Sequence, residues 1–165
     1  MVNATKKTRV IAAFGLASFG LVFVSSGHAQ QSAASAWSKT DQTQVRLVSA
    51  WRSLGNKNQV KLGLQFKLKS GWKIYWRSPG DAGFPPRLEW DGSENLSAVE
   101  MAWPAPSRFS VLGFETQGYA KEVVFPLTAT VAAPGKPLNL SARLKYLTCD
   151  DVCIPYQAKF TMKIP

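Results

Sequence analysis

Leu138-Asn-Leu-Ser-Ala-Arg-Leu-Lys-Tyr146, Leu147-Thr-Cys149-Asp-Asp-Val-Cys153-Ile-Pro155 and Tyr156-Gln-Ala-Lys-Phe-Thr-Met-Lys-Ile164 run on without a break. In the first segment Leu138, Leu140, Ala142, Leu144 and Tyr146 alternate with polar residues. In the last, Ala158, Phe160, Met162 and Ile164 do the same. A period of two places alternate side chains on opposite faces, the pattern of a half-buried strand. The short polar stretch between them makes the pair an antiparallel hairpin. Working outward, Val60, Leu62, Leu64, Phe66 and Leu68 repeat the pattern, as do Val45, Leu47, Ser49 and Trp51. Shorter candidates are Lys73–Arg77, Arg87–Trp90, Leu96–Met101 and Lys121–Val131. Pro126 inside the last suggests an edge strand or a bulge, because proline cannot donate to a ladder. No stretch carries a 3.6-residue repeat. Seven or eight short strands separated by turn residues predict an all-β fold, an immunoglobulin-like antiparallel β-sandwich over residues 43–165.

Two segments lie outside this pattern and are expected to be loops. Ser78-Pro-Gly-Asp-Ala-Gly-Phe-Pro-Pro86 is rich in glycine and proline. The second runs from Trp103-Pro-Ala-Pro-Ser-Arg-Phe109 through Gly118, and long loops in compact domains often carry function. At the N-terminus, Lys6, Lys7 and Arg9 precede the apolar run Val10–Val24, and Gly27-His28-Ala29 supplies small residues. This is the layout of a signal peptide over residues 1–29, cleaved after Ala29, with Ala34 and Ala36 as fallback sites. An uncleaved anchor is the alternative. Residues 30–42 are small and polar and are expected to form a flexible lead.

Composition excludes several functions. The chain has 20 Lys+Arg against 10 Asp+Glu. Losing the signal leaves 17 against 10, or +7, spread along alternating strands rather than gathered in a stripe, so no nucleic-acid partner is expected. The single histidine, His28, lies in the signal segment. The remaining chain then has no imidazole base for a hydrolase and no histidine metal ligand.

Cys149 and Cys153 are the only cysteines. Three residues apart in an exported chain, they sit across the mouth of a turn where directly opposed residues can bridge. A ring of five residues gives about 2 kcal/mol in the chain-entropy treatment, against about 4.7 for a loop of 100. Such a ring is poorly suited to stapling a sandwich and is expected to be easily reduced. Asp150 and Asp151 disfavour a neighbouring thiolate by like-charge repulsion. A local structural disulfide remains open, as does a two-thiolate Cu(I) or Zn site, although zinc would lack ligands.

Gly71-Trp-Lys-Ile-Tyr-Trp-Arg77, Pro79-Gly-Asp-Ala-Gly-Phe-Pro-Pro86, Trp103-Pro-Ala-Pro106, Val123-Val-Phe-Pro-Leu127 and Tyr146-Leu-Thr-Cys-Asp-Asp-Val-Cys-Ile-Pro155 occur in that order. Together they resemble the periplasmic N-terminal domain of the thiol–disulfide interchange protein DsbD family, and most of all its suppressor-of-copper-sensitivity B branch. The resemblance implies a periplasmic redox carrier whose Cys149 and Cys153 cycle between dithiol and disulfide, with no cofactor and no metal. It implies that Cys153 attacks and Cys149 resolves. It also implies a membrane-embedded reductase as electron source, thioredoxin-like or disulfide-isomerase proteins as recipients, and a monomer. By the same resemblance Phe109, or failing it Phe114, caps the cysteines, while Tyr75 and Trp72 flank them. The pattern departs from the family in places. DsbD separates its cysteines by five residues, and it has acids where Ser107 and Arg108 stand. The sequence also holds no transmembrane or thioredoxin-like domain, so it is expected to be either a stand-alone version or part of a longer protein. Two other readings stay open: a non-catalytic immunoglobulin-like binding module, and a copper-handling protein.

Overall fold

The structure, a computed structural model, describes Met1 and residues 34–165. The expected signal peptide, apart from Met1, and residues 30–33 of the expected lead lie outside the described residues. Among the described residues the regular elements are all strands: β1 (Ser38–Lys39), β2 (Thr43–Ser49), β3 (Gln59–Leu68), β4 (Lys73–Gly80), β5 (Arg87–Glu89), β6 (Leu96–Met101), β7 (Ser107–Val111), β8 (Phe114–Ala120), β9 (Glu122–Val131), β10 (Leu138–Cys149) and β11 (Cys153–Ile164). They form two antiparallel sheets. The first has the order β1-β2-β3-β9-β6. The second has the order β11-β10-β4-β8-β7, with β5 also paired to β10. This is the expected immunoglobulin-like sandwich.

The alternation read from the sequence sets which face of each strand turns inward. Leu138, Leu140, Ala142, Leu144 and Tyr146 of β10 meet Val45, Leu47, Leu64, Phe66, Phe125 and Leu127 of the first sheet in one continuous core. Phe66 packs edge-on against both Phe125 and Tyr146, with ring centroids 5.9 and 5.2 Å apart. Edge-to-face pairs of this kind add to the burial of apolar area. The Tyr146 hydroxyl hydrogen-bonds Thr43 Oγ1 at 2.5 Å, which satisfies the one polar atom that this ring carries into the core.

Four expectations need correction. Residues 34–42 are not a flexible lead: Ser38 and Lys39 pair with Val45 and Gln44 as β1, and the guanidinium of Arg46 stacks over the Trp37 ring at 4.3 Å. The segment from Ser78 is not a loop from its start, because β4 continues to Gly80. The ladder with β8 shifts register between Tyr75↔Gly118 and Gly80↔Thr116, so five steps along β4 answer two along β8 (75 to 80 against 118 to 116). Pro79 lies in the stretch of that bulge that has no register partner, where a proline interrupts no rung. The long segment after Trp103 is largely a hairpin, β7–β8, in register from Ser107↔Gly118 to Val111↔Phe114.

Pro126, last, lies neither on an edge strand nor at a bulge in its pairing with β3, for β9 runs between β3 and β6. Its amide position points to the β6 side, just past the last β6–β9 register pair, Met101↔Leu127. Proline cannot supply the reciprocal donor, so the β6–β9 ladder ends there, although its carbonyl still accepts from Ala102 N at 2.8 Å. Pro155 is the proline on an edge. On β11, the outermost strand of the second sheet, it pairs with Leu147 of β10. Asp150 N donates to Val152 O across the turn, so the amide positions of Cys153 and Pro155 face away from β10.

Candidate functional site

Cys149 closes β10 and Cys153 opens β11. They are register partners at the last of the twelve paired positions of this hairpin and are joined by a disulfide, with Cα atoms 4.2 Å apart. Asp150, Asp151 and Val152 form the turn. The odd-numbered residues of β10 face away from the core, so the disulfide lies on the outer face of the second sheet and does not bridge the two sheets. It adds a bond between strands that their backbones already pair.

The two sulfurs sit in different surroundings. Cys149 is 0% exposed, in a small apolar cluster with Tyr75 and Val111, against which Phe109 and Leu147 pack. Cys153 is exposed. Tyr75 reaches the site because Ile74 points into the core and the next residue of β4 must point out. Its ring is completely buried, and its hydroxyl lies 4.0 Å from Cys153 Sγ. A disulfide sulfur has no hydrogen, so the phenol donates. Burial raises the Tyr75 pKa above the ordinary value of 10.0, which keeps that proton in place.

Two glycines allow close packing here, one against the Tyr75 ring and one against the β4 backbone. A Cβ on Gly83 would come within 2.4 Å of Tyr75 Cε1, and the φ of Gly83 is +96°, where side chains are strained. Gly118 faces Tyr75 across the β4–β8 ladder. A Cβ there would lie 2.0 Å from the Ile74 carbonyl oxygen. The Gly/Pro-rich segment thus packs onto the site through Gly83.

Of the aromatic residues expected at the site, Phe109 of β7 is half-buried against the cluster that holds Cys149. Lys73 Nζ stands 5.6 Å from its ring centroid. Phe114 is 51% exposed beside the β7–β8 turn and is not part of the cluster. Trp72 is half-buried and also lies outside it. Asp151 is exposed, whereas Asp150 has a counter-charge, Lys73 Nζ at 3.8 Å. The repulsion expected between the two carboxylates and a thiolate is therefore partly offset on the Asp150 side. Leu147, Val111, Lys73 and Gly83 were not anticipated as site residues. Leu147 shares its parity with Cys149 and could have been read from the alternation. Beside the cysteines, Phe84, Arg87, Lys145, Pro155, Tyr156 and Gln157 line an open, mostly apolar groove of about 540 Å³. Among the described residues no group of three or more His, Cys, Asp or Glu side chains converges in a way that could hold a metal ion.

This arrangement can expose one sulfur to a partner while withholding the other. Comparison with known proteins identifies the family. Residues 41–165 match the family model for the N-terminal region of the thiol:disulfide interchange protein DsbD. Among solved structures, the N-terminal periplasmic domain of ScsB from Proteus mirabilis is 37% identical with a TM-score of 0.66. The match covers 80% of this chain and 51% of that one, so this chain spans about half the length of its relative. The N-terminal domain of Neisseria meningitidis DsbD in the reduced form is 16% identical, with a TM-score of 0.44 over 72% of this chain and 82% of that one. The GAE domain of GGA2p from Saccharomyces cerevisiae is 13% identical, with a TM-score of 0.45 over 78% and 96%. No curated protein sequence matches. With the family match extending over most of its length, the chain belongs to the DsbD N-terminal domain family of thiol–disulfide interchange proteins.

Proposed function

We propose that this domain is a periplasmic thiol–disulfide exchange carrier. Its Cys149–Cys153 pair accepts two electrons from a membrane-embedded reductase and hands them to thioredoxin-like or disulfide-isomerase partners. One observation carries the reading: the disulfide lies outside the core, on already paired strands, with Cys153 exposed and Cys149 buried. A staple needs neither the asymmetry nor the outward placement, and both suit exchange. In the reducing direction the Cys153 thiolate attacks a partner disulfide and forms a mixed disulfide, and the partner's second sulfur leaves as a thiolate. Cys149 then attacks Cys153 Sγ, which restores the internal disulfide and releases the partner as a dithiol. The aromatic cover over Cys149, chiefly Phe109, keeps the resolving thiol from small oxidants until a partner docks. Export to the periplasm is supported by the N-terminal sequence and by the periplasmic character of the Proteus mirabilis relative.

The test is the reduction potential of the pair. Mature protein is equilibrated in graded thiol buffers and quenched by alkylation, and modified cysteines are counted by mass. A carrier gives about −270 to −180 mV. A value below about −300 mV marks a structural disulfide and returns the domain to the binding-module reading.

A further inference from the structure

We propose that Tyr75 is a catalytic hydrogen-bond donor that binds the Cys153 thiolate once the disulfide is opened, and so makes Cys153 rather than Cys149 the nucleophile. The proposal rests on the exchange reading above and assigns a chemical role within that site. The Tyr75 ring is 0% exposed. Among the described residues its hydroxyl has one hydrogen-bond partner, Cys153 Sγ at 4.0 Å. A buried phenol normally finds a good acceptor, and a disulfide sulfur is a weak one. The fold therefore holds a buried donor against an atom that accepts well only when the bond is broken and the sulfur is anionic. A charge-assisted bond is roughly twice as strong as a neutral one, so the interaction favours the open, ionised state.

The ring has little freedom to turn elsewhere. Gly83 lies against it, and Gly118 lets β8 approach β4 closely at its backbone. The charged groups placed around the sulfurs are Asp150 and Asp151 in the turn and Lys73 on β4, the last within 3.8 Å of Asp150. The turn carboxylates oppose a thiolate on either cysteine, while the phenol supports one on Cys153. Because burial holds its proton, Tyr75 acts by donating a hydrogen bond and not by transferring a proton. The Cys153 proton goes to water, and the partner's departing thiolate takes one up from water.

The experiment measures the Cys153 thiol pKa from the pH dependence of its iodoacetamide alkylation in reduced Cys149→Ala protein, with and without Tyr75→Phe. Losing the donor should raise the pKa by about one unit, read as an about tenfold slower alkylation at a fixed pH below it. A ring that serves only as packing would leave the pKa unmoved, and that result overturns the proposal. Should Tyr75→Phe fail to fold, the unmodified reduced protein carries the test through 13C NMR of the tyrosine Cζ atoms. The Tyr75 signal should then shift with Cys153 ionisation, well below its own titration, and a signal blind to Cys153 overturns the proposal. A disulfide too stable to exchange, found together with the expected pKa rise, would sink the carrier reading and leave the hydrogen bond established. An exchanging disulfide with an unmoved pKa would do the reverse.

Discussion

Around Tyr75, individual atoms decide what the site tolerates. Gly118 has its Cα where a methyl group would sit 2.0 Å from the Ile74 carbonyl oxygen and 2.9 Å from Tyr75 Cα. Backbone cannot yield as a side chain can, so Gly118→Ala should destabilise the domain by about 2–4 kcal/mol. It should also push β8 away from β4 at the level of the disulfide. Chemical denaturation of the oxidised protein measures the first effect, and faster disulfide reduction at low denaturant reports the second. A loss below 0.5 kcal/mol would show that the ladder adjusts freely. At this scale the closeness of the two cysteines was readable from their spacing, while Phe109, which packs against the cluster that holds Cys149, was suggested only by the family resemblance. The sequence was not readable for Lys73 or Gly83, whose roles come from neighbours 77 and 8 residues away in the chain (73 to 150, 75 to 83). Pro126 was misread for a related reason. A proline withholds its donor in one direction only, and that direction depends on which strand lies there and where it ends.

The β10–β11 hairpin pairs along its whole length, from Leu138↔Ile164 to Cys149↔Cys153. Cutting the disulfide therefore removes a ring of five residues and leaves the ladder and the core beneath it intact. The Cys149→Ala/Cys153→Ala protein should remain folded and lose about 2 kcal/mol, a loss readable by thermal or urea unfolding. Collapse of the fold in that variant would identify the bond as a staple. Strand β7 makes a complementary prediction. Phe109→Ala uncovers the buried side of the disulfide at a cost of about 1–2 kcal/mol, below the range for a fully buried ring. It should speed reduction of the oxidised domain by small thiols about tenfold or more, whereas Phe114→Ala, at an exposed ring outside the cluster, should change that rate little. Stopped-flow reduction with dithiothreitol distinguishes the two. The main strands were legible because long alternating runs such as Val60–Leu68 leave one possible inner face. β7 and β8 were not, because their short runs lie between prolines and glycines and turn apolar residues toward the small outer cluster as well as toward the core.

For the molecule as a whole, buried phenols set the alkaline limit. Tyr119 donates to the Pro104 carbonyl at 2.7 Å, and burial pushes its pKa up to about 12, with Arg77 pulling weakly the other way. Burial also raises Tyr146 and Tyr75 above the ordinary value of 10.0. A group whose folded pKa is raised contributes stability that is complete below its unfolded value and is lost as pH climbs toward the folded one. The domain should therefore hold constant stability from this source up to about pH 10 and lose it steeply as pH rises toward 12. Tyr119→Phe should flatten part of that fall. Urea midpoints measured every half unit from pH 9 to 12, with absorbance at 295 nm to follow ionisation, provide the check. Unchanged midpoints across that range would show that the phenols titrate without unfolding. The sandwich and its two-sheet core were legible from alternation alone, while the second apolar cluster outside the core was hidden. Its members come from β4, β7 and β10, and only the topology brings those strands together.

Pro155 bears on how the molecule behaves in a crowd of its own kind. An unpaired strand edge is a template on which a second chain can crystallise into a growing sheet, and a proline on it breaks that template. On β11 the break falls two residues from Cys153, beside the proposed exchange site. A sheet that began to spread from this end would meet a missing rung there. The site can thus stay open to a docking protein without inviting fibrous self-association, and the protein should remain dispersed at concentrations where a bare edge would clump.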